Sequence, residues 1–323
     1  MATYRKDKGI NVKSYASDPP NAYPSAFEGK LYYNSSDGQI KYQTLGAGAW
    51  GSGGNLNTAK SRMGSAGNQT AGLVAGGEPT AAPDQTEEYN GTAWSEVNEL
   101  NTGRIALAGA GTQTAAIVAG GTPPDRDECE SYDGTNWTEV ADLNTGRYYF
   151  KGVGTQTAAL VFAGRASPSA TLAIAESWDG SSWTEVADLN TARRTVSGAG
   201  IQTSALCIGG ATPSATGVTE SFNGTAWTEV ADLNTARASL AGMGNANNTD
   251  AVVAGGDSGP KVNVEQFDGS AWTEVADISS ARFGHKGSGS SSLGFVAGGE
   301  PGPYLNATEE WTITHTLKKV TTA

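Results

Sequence analysis

Charged residues recur in this 323-residue chain at two fixed places of a repeated phrase. One set is the cation that ends the phrase LNTAR or a variant of it: Lys60, Arg104, Arg147, Arg193, Arg237 and Arg282. The other is a glutamate that begins short phrases such as EEY and ESF: Glu87, Glu130, Glu176, Glu220, Glu265 and Glu309. Catalysis needs one asymmetric constellation of groups, so a charge repeated six times has a different role. We expect both sets to tie the repeats together through ion pairs and hydrogen bonds.

Residues suited to catalysis or metal binding are otherwise few. His285 and His315 are the only histidines, and no nucleophile, base and acid share a known spacing. Cys207 lies in the apolar phrase LCIGG, and Cys129 lies in ECESY at the start of another strand; both are expected to be free thiols. We therefore predict a protein that is not an enzyme and holds no cofactor or metal. A glycosidase built from carboxylates alone would leave no local motif, so that alternative stays open.

The repeated phrase carries a tryptophan, and successive copies are 43 to 46 residues apart. The six tryptophans are Trp50, Trp94, Trp137, Trp183, Trp227 and Trp272. This period is typical of a four-stranded propeller blade and too long for a helical repeat of about 34 residues. Forty-four glycines and a charged fraction of 17% also favour an all-β chain.

Each copy reads as four strands. A first strand of Gly, Ala and Ser follows the repeat cation, and an apolar second strand ends in a glycine pair, as in LVAGG. A third strand ends in an aromatic residue, and an Asn-Gly or Asp-Gly turn then leads to the fourth strand with the tryptophan. In the sixth copy, no tryptophan-bearing fourth strand follows Trp311. The phrase around Trp50, in contrast, reads as a fourth strand that has no first three strands before it. We predict a six-bladed β-propeller in which the strand at Trp50 completes the last blade.

The predicted organisation has three parts. Residues 1–45 form an attachment segment with a β-hairpin in KLYYNSSDGQIKYQ, residues 46–315 form the propeller, and residues 316–323 form a tail. The formal net charge of −12 argues against nucleic acid as a partner. No apolar run is long enough to cross a bilayer, and the opening residues lack the apolar part of a signal peptide. We expect no membrane insertion and assembly in a reducing cytoplasm.

The order of a small-residue strand, a Gly-Gly strand, a third-strand aromatic and a fourth-strand Trp resembles Kelch-repeat propellers. The phrases LNTAR, GAGTQTAA, SDPP and GKLYYNSSDGQIKY are more narrowly similar to Kelch-like virion proteins of marine tailed bacteriophages, including tail-fibre and adhesin proteins. This resemblance implies a structural virion protein whose residues 1–45 face other virion proteins and whose propeller points outward. We expect it in the tail or on the particle surface, as a homo-oligomer and in particular a trimer.

The loops that follow the glycine pairs, and the residues that follow the repeat cations, should share one face of the propeller. That rim contains residues that differ from one copy to the next: Tyr148, Tyr149, Arg194, Phe283, His285, Tyr304 and Arg126. Aromatic faces and arginine donors suit a host-surface glycan or protein. Host recognition is the function that we predict; the alternatives are a capsid or neck decoration protein without a receptor and a cytoplasmic Kelch-type adaptor.

Overall fold

A computed structural model describes residues 13–17, 31–79, 83–123, 125–244, 246–257, 259–300 and 302–320. Most of the predicted attachment segment, together with Thr80 to Ala82 in one rim loop, lies outside the described residues. The chain divides into two compact units: Met1–Gly48 with Ile313–Ala323, and Ala49–Thr312. Among the residues described, none lies in a helix that is long and apolar enough to span a membrane.

The smaller unit contains the predicted hairpin. Its strands are β1 (Lys13–Tyr15), β2 (Leu31–Asn34) and the first part of β3 (Gln39–Ser52). Strands β2 and β3 pair antiparallel from Leu31–Tyr42 to Asn34–Gln39, and β1 pairs parallel with β2. The turn uses Gly38 at a φ of 71°, a left-handed conformation that glycine adopts without a steric penalty. Tyr32 is buried here and meets Tyr15 edge-on at 6.1 Å.

The larger unit consists of repeated antiparallel sheets. The first two are formed by β4 (Gly64–Asn68), β5 (Ala71–Ala75), β6 (Thr86–Tyr89) and β7 (Trp94–Val97), and by β8 (Ala108–Thr112), β9 (Ala115–Gly121), β10 (Arg126–Tyr132) and β11 (Trp137–Val140). The third contains β12 (Lys151–Thr155), β13 (Ala158–Phe162), β16 (Ala175–Trp178) and β17 (Trp183–Val186), with a separate ribbon of β14 (Arg165–Ala166) and β15 (Ala170–Thr171).

The remaining sheets repeat the pattern. The fourth is β18 (Ser197–Ile201), β19 (Ser204–Ile208), β20 (Thr219–Phe222) and β21 (Trp227–Glu229); the fifth is β22 (Ala241–Met243), β23 (Ala251–Ala254), β24 (Val264–Phe267) and β25 (Trp272–Val275). The last contains β26 (Lys286–Gly289), β27 (Leu293–Ala297) and β28 (Thr308–Lys319), with β3 next to β28 in the strand order. The chain is therefore all-β and built from several four-stranded antiparallel sheets, as the repeat pattern predicts.

The third and fourth strands of each sheet are joined by the predicted turn. In the fourth sheet the side-chain oxygen of Asn223 accepts hydrogen bonds from the amides of Thr225 and Ala226, and Gly224 has a φ of 92°. This geometry places Phe222 directly opposite Trp227, and their rings lie 4.9 Å apart. The aromatic pair is therefore a product of the turn's register.

The repeat tryptophans pack against the preceding sheet. Trp183 of the third sheet lies in one apolar cluster with Ile117, Ala119 and Cys129 of the second sheet. The indole N–H of Trp137 donates to the hydroxyl of Thr86 at 3.1 Å, and that of Trp94 donates to Thr308 at 2.9 Å. Trp227 and Trp272 likewise donate to backbone carbonyls of the preceding repeat, whereas the indole nitrogen of the buried Trp183 has no hydrogen-bond partner among the described residues.

The first strands of the sheets contact one another in sequence: β4 with β8, β8 with β12, β12 with β18, β18 with β22, β22 with β26 and β26 with β4. Near the other edge of the last sheet, the ring of Trp50 lies 5.2 Å from that of Trp311. The amide of Gly53 donates to the carbonyl of Thr308 at 2.9 Å, so the chain next to Trp50 pairs with β28.

Candidate functional site

The repeat cations form ion pairs with the repeat glutamates in the larger unit. Each pair joins a Lys or Arg with the Glu that follows it in the same repeat, and both side chains are almost completely buried. In the fifth repeat, Arg237 Nη2 lies 2.7 Å from Glu265 Oε1, while Nη1 donates to the carbonyls of Gly255 at 3.0 Å and Asn263 at 2.6 Å. Burial lowers the pKa of Arg237, and the charge of Glu265 opposes that change.

A side chain that the sequence analysis did not single out completes this arrangement. Asn234 donates to the second oxygen of Glu265 through its backbone amide at 2.7 Å and its side chain at 2.9 Å, and it also donates to the carbonyl of Trp272. Asn57, Asn101, Asn144 and Asn190 do the same in their own repeats. The signal was visible in the sequence as the Asn of LNTAR. The ion pair therefore fixes the loop that leads into a sheet to that same sheet. We had expected it to join two neighbouring sheets, which it does not do.

Backbone hydrogen bonds make the contact between neighbouring repeats instead. The amide of the second glycine in each pair, or of Gly164 in the third repeat, donates to the carbonyl of the next repeat's cation. The bonds are Gly77 to Arg104, Gly121 to Arg147, Gly164 to Arg193, Gly210 to Arg237, Gly256 to Arg282 and Gly299 to Lys60, at 2.8–3.1 Å. The last of them runs from the sixth repeat to the first.

A second set of backbone bonds lies two residues after each repeat cation. The residues there are Arg62, Ala106, Tyr149, Thr195, Ser239 and Gly284, all with φ between 53° and 66°. Each amide donates to the carbonyl of the equivalent residue in the preceding repeat at 2.7–2.9 Å, and the amide of Arg62 donates to Gly284. Five non-glycine residues in the left-handed region are uncommon, so these bonds hold the backbone in a conformation that it would not adopt alone.

Tyr149 lies on this set of bonds, and a group of polar and aromatic side chains surrounds it. We call this group the Tyr149 cluster: Arg62, Glu78, Tyr148, Tyr149, Arg165, Glu300 and Tyr304. The rings of Tyr148 and Tyr149 are 5.0 Å apart. The guanidinium of Arg62 stands 5.5 Å from the centre of the Tyr149 ring, and that of Arg165 stands 5.9 Å from the centre of the Tyr148 ring. Both tyrosines are half-buried, which leaves part of each ring open to a ligand.

Arg62 connects these rings with two carboxylates from the first and last repeats. It forms a short ion pair with Glu78, and its Nη2 lies 3.0 Å from Glu300 Oε1, which also accepts a hydrogen bond from Ser61 at 3.1 Å. Burial raises the pKa of Glu78, while Arg62 lowers it and Glu300 raises it. Burial also raises the pKa of Tyr304, and the charges of Glu78 and Glu300 add to that rise.

Of the other predicted rim residues, Phe283 adjoins this cluster through Glu300, whereas Arg126 and Arg194 contact residues outside it. Arg126 pairs with Glu128 at 2.8 Å, and Arg194 donates to the hydroxyl of Thr171 at 3.3 Å. Phe283 exchanges two backbone hydrogen bonds with Glu300. The prediction that His285 faces the rim disagrees with its burial: it is 1% exposed and packs against Gly255 and Gly299, because its repeat position holds the buried apolar residues of the other copies.

Sequence reasoning missed Arg62, Glu78, Arg165 and Glu300. Arg165 follows the pair position of the third repeat, which is Ala163-Gly164, and is therefore equivalent to Glu78 and Glu300. Glu78 and Glu300 are the residues that follow a glycine pair, and backbone bonds join them to Ser61 and Phe283. Two of them meet at Arg62 only because the first and last repeats are neighbours.

The thiols and carboxylates elsewhere do not form a second chemical centre. Cys129 and Cys207 are both free, as we expected, and both are buried. Among the described residues, no group of three or more His, Cys, Asp and Glu side chains is placed to hold a metal ion.

Comparisons with known proteins support the fold. No protein-family model matches the sequence, and no curated protein matches it. Among solved structures, one titled "Structure of YjhT" superposes with a TM-score of 0.67 at 12% sequence identity, covering 82% of this chain and 99% of that one. YjhT has a Kelch-like β-propeller fold. The chain shares that fold.

Proposed function

We propose that this chain is a structural protein of a bacteriophage particle, a tail fibre or adhesin, whose propeller recognises the host surface. The observation that carries the proposal is the Tyr149 cluster, in which two tyrosine rings stand beside two guanidinium groups at a solvent-accessible face. Aromatic faces bind the apolar faces of sugars, and arginine and carboxylate groups exchange hydrogen bonds with hydroxyls. A glycan of the host surface is the ligand class that fits best.

The display depends on a rigid scaffold, and we infer that it has six blades and is closed. Six repeat ion pairs, the contact of β26 with β4, and the hydrogen bonds from Gly299 to Lys60 and from Arg62 to Gly284 support this inference. In this arrangement the strand at Trp50 supplies the fourth strand of the sixth blade. A closed ring leaves only short, protected sheet edges and holds the Tyr149 cluster in one geometry.

Residues 1–45 are proposed to attach the chain to other virion proteins, and a trimer is the proposed assembly. One small cluster of two tyrosines binds a glycan weakly, so several copies on one particle are needed for firm attachment. The same proposal places the protein at the tail or particle surface, where the loop face is free.

Binding to bacterial surface polysaccharides tests the recognition role. Tyr148→Ala, Tyr149→Ala and Arg165→Ala should each weaken binding of the purified chain on an array of such polysaccharides, with little change in Tm. Ile105→Ala and Thr195→Ala are matched controls, because they occupy the positions of Tyr148 and Tyr149 in other repeats. Arg194→Ala is a further comparison. The sequence alone predicted Arg194 as a binding residue, but it lies outside the Tyr149 cluster, so its loss should weaken polysaccharide binding less than the loss of Tyr149.

Immuno-electron microscopy of purified particles tests the location. Label at the tail tip agrees with an adhesin. Label on the capsid or neck, or equal polysaccharide binding by the Tyr149→Ala and Thr195→Ala variants, argues for a decoration protein instead. Particles that contain no copy of the chain would favour a cytoplasmic adaptor.

A further inference from the structure

Two lysines occupy a place in the first strands where the other repeats have small residues. Lys151 and Lys286 are each the fourth residue after the repeat cation, where the remaining repeats have Gly64, Ala108, Ser197 and Ala241. A narrow space between first strands favours residues without long side chains. The two lysines are therefore exceptions that packing of the repeat does not require.

Both lysines line a central cavity that the first strands enclose. Lys151 borders a section of about 390 Å³, counted with its opening to solvent, whose other walls come from first-strand residues of all six repeats, mostly glycines. Lys286 borders the adjoining section of about 370 Å³, together with Arg62, Tyr149, Thr195 and His285. The second section ends at the set of backbone bonds below the Tyr149 cluster. The cavity can therefore admit a solute of a few atoms.

The charges along this cavity have one sign. No Asp or Glu is among the described residues that line either section, although the whole chain carries a formal charge of −12. Arg62 is already paired with Glu78 and Glu300. In the described part of the chain, the ammonium groups of Lys151 and Lys286 take part in no ion pair or hydrogen bond. The ring nitrogens of His285, which lines the same section as Lys286, also lack a hydrogen-bond partner within the part of the chain that the structure describes.

The environment makes this uncompensated charge costly. Burial lowers the pKa of Lys151 to about 8. Burial, then the charge of Lys151 and that of Arg62, lowers the pKa of Lys286 to about 7. The neighbouring His285 supplies no negative charge that could neutralise the two lysines. Burial and the charge of Arg282 lower the pKa of His285 well below the usual range. A bound anion would stabilise both ammonium groups, because opposite charge favours the protonated form.

We propose that the central cavity binds one small inorganic oxyanion, of the sulfate and phosphate class, held by Lys151 and Lys286. The glycines of the first strands leave the backbone exposed along the cavity, so an anion can approach closely. The tetrahedral oxygens of such an anion can accept from two ammonium groups that belong to different sheets. This site does not depend on the proposed role in host recognition, since it uses neither Tyr148 nor Arg165.

Sulfate is the probe for this site because its charge does not change between pH 5 and 9. Isothermal titration of the full chain at pH 6.5, with sodium chloride matching the ionic strength, should give one sulfate per chain and a dissociation constant of about 1 mM or tighter. Lys151→Ala and Lys286→Ala should each weaken binding by about tenfold or more, since each removes a charged donor. Ala108 and Ala241 show that alanine is accepted at this repeat position.

Three comparisons keep the proposal falsifiable. Lys261→Ala removes a lysine that does not line the cavity and should leave sulfate binding unchanged. Lys151→Arg should keep binding, which provides a test if an alanine variant does not fold. Raising the pH from 6.5 to 9 should weaken sulfate binding as the two lysines lose their protons. Equal binding by the wild type and the Lys151→Ala/Lys286→Ala variant, or no binding by the wild type at 10-fold higher sulfate than expected, would overturn the proposal.

Discussion

The amide of Gly299 donates a hydrogen bond of 2.9 Å to the carbonyl of Lys60, which joins the sixth repeat to the first. The same bond joins every earlier glycine pair to the cation of the following repeat. Lys60 also forms a 2.9 Å ion pair with Glu87, so one residue fixes its own repeat through its side chain and its neighbour through its backbone. The stability of the larger unit should therefore depend on contacts at both ends of its chain.

Trp50→Ala tests the contact at the beginning of the larger unit. Trp50 is half-buried, lies 5.2 Å from Trp311, and donates from its indole to the carbonyl of Ala276 at 2.9 Å. Its loss should lower the free energy of unfolding by about 2 kcal/mol, less than the 3–5 kcal/mol typical of a fully buried tryptophan. Trp137→Ala, at a buried equivalent, is the control and should cost the larger amount. Urea denaturation measures both, and an unchanged midpoint for Trp50→Ala would contradict the closure that we infer.

Arg193→Met tests the buried ion pairs. Arg193 and Glu220 are both fully buried and lie 2.9 Å apart, so removal of the guanidinium leaves a carboxylate without its charge partner. The free energy of unfolding should fall by about 3–5 kcal/mol. Glu220→Gln added to Arg193→Met should recover part of this loss, because the amide oxygen can still accept from Asn190 without a buried charge.

Arg193→Lys is the matched conservative change, since the first repeat already has Lys60 at this position. The lysine can reach Glu220 but cannot also donate to the carbonyls of Gly209 and Val218. Its cost should be about 1.5–3 kcal/mol, between wild type and Arg193→Met. A lysine variant as unstable as the methionine variant would show that the carbonyl contacts, and not the charge, dominate.

Stability should rise with pH because of Lys151 and Lys286. Their pKa values are about 8 and about 7 in the folded chain, against about 10.4 for an unfolded lysine. Between these values the unfolded chain binds more protons, so the free energy of unfolding increases as the pH rises from about 7 to about 10. In sulfate-free and phosphate-free buffer, the Tm of the wild type minus the Tm of the Lys151→Ala/Lys286→Ala variant should therefore increase between pH 6.5 and 9. Parallel Tm curves would contradict the lowered pKa values of these two half-buried lysines.

The two cysteines should react with a thiol reagent only when the protein unfolds. Burial raises the pKa of Cys129 and Cys207 to about 12, although Arg104 and Arg193 act in the opposite direction. The thiolate is the reactive form, so neither residue should react with a thiol reagent at pH 8 until the sheets open. Thr228→Cys adds a thiol at an exposed position and should react at once. Rapid labelling of the wild-type chain without denaturant would contradict this prediction.

Much of the fold follows from local patterns. The Asn-Gly turn before Trp227 fixes the register of two strands, and the glycine pair fixes the end of another, so four strands per repeat were predictable without coordinates. The ion pair of Arg237 with Glu265 was also foreseen, because a charge that recurs in every copy must have a partner that recurs with it. Its placement within one repeat was not foreseen, since spacing along the chain does not reveal which sheet a loop lies against.

The candidate site was only partly predictable. Tyr148 and Tyr149 stood out because they differ from the other copies, and the structure places their rings side by side. Arg62 and Glu300 did not stand out, because each looks like an ordinary polar residue at its own place in the sequence. His285 was misplaced for the opposite reason: its imidazole looked like a rim group, whereas its position in the repeat holds Met63, Leu107 and Phe150, which are buried.

The sequence alone determined the repeat, its strands and turns, and the pairing of its charges, because each of these is encoded within about 45 residues and copied along the chain. Only the tertiary structure decided that Arg62 lies between Glu78 and Glu300, and that Lys151 and Lys286 line one cavity. Those residues are far apart in the chain and belong to different repeats. Their proximity depends on how the separate sheets pack against one another, which no single copy of the phrase encodes.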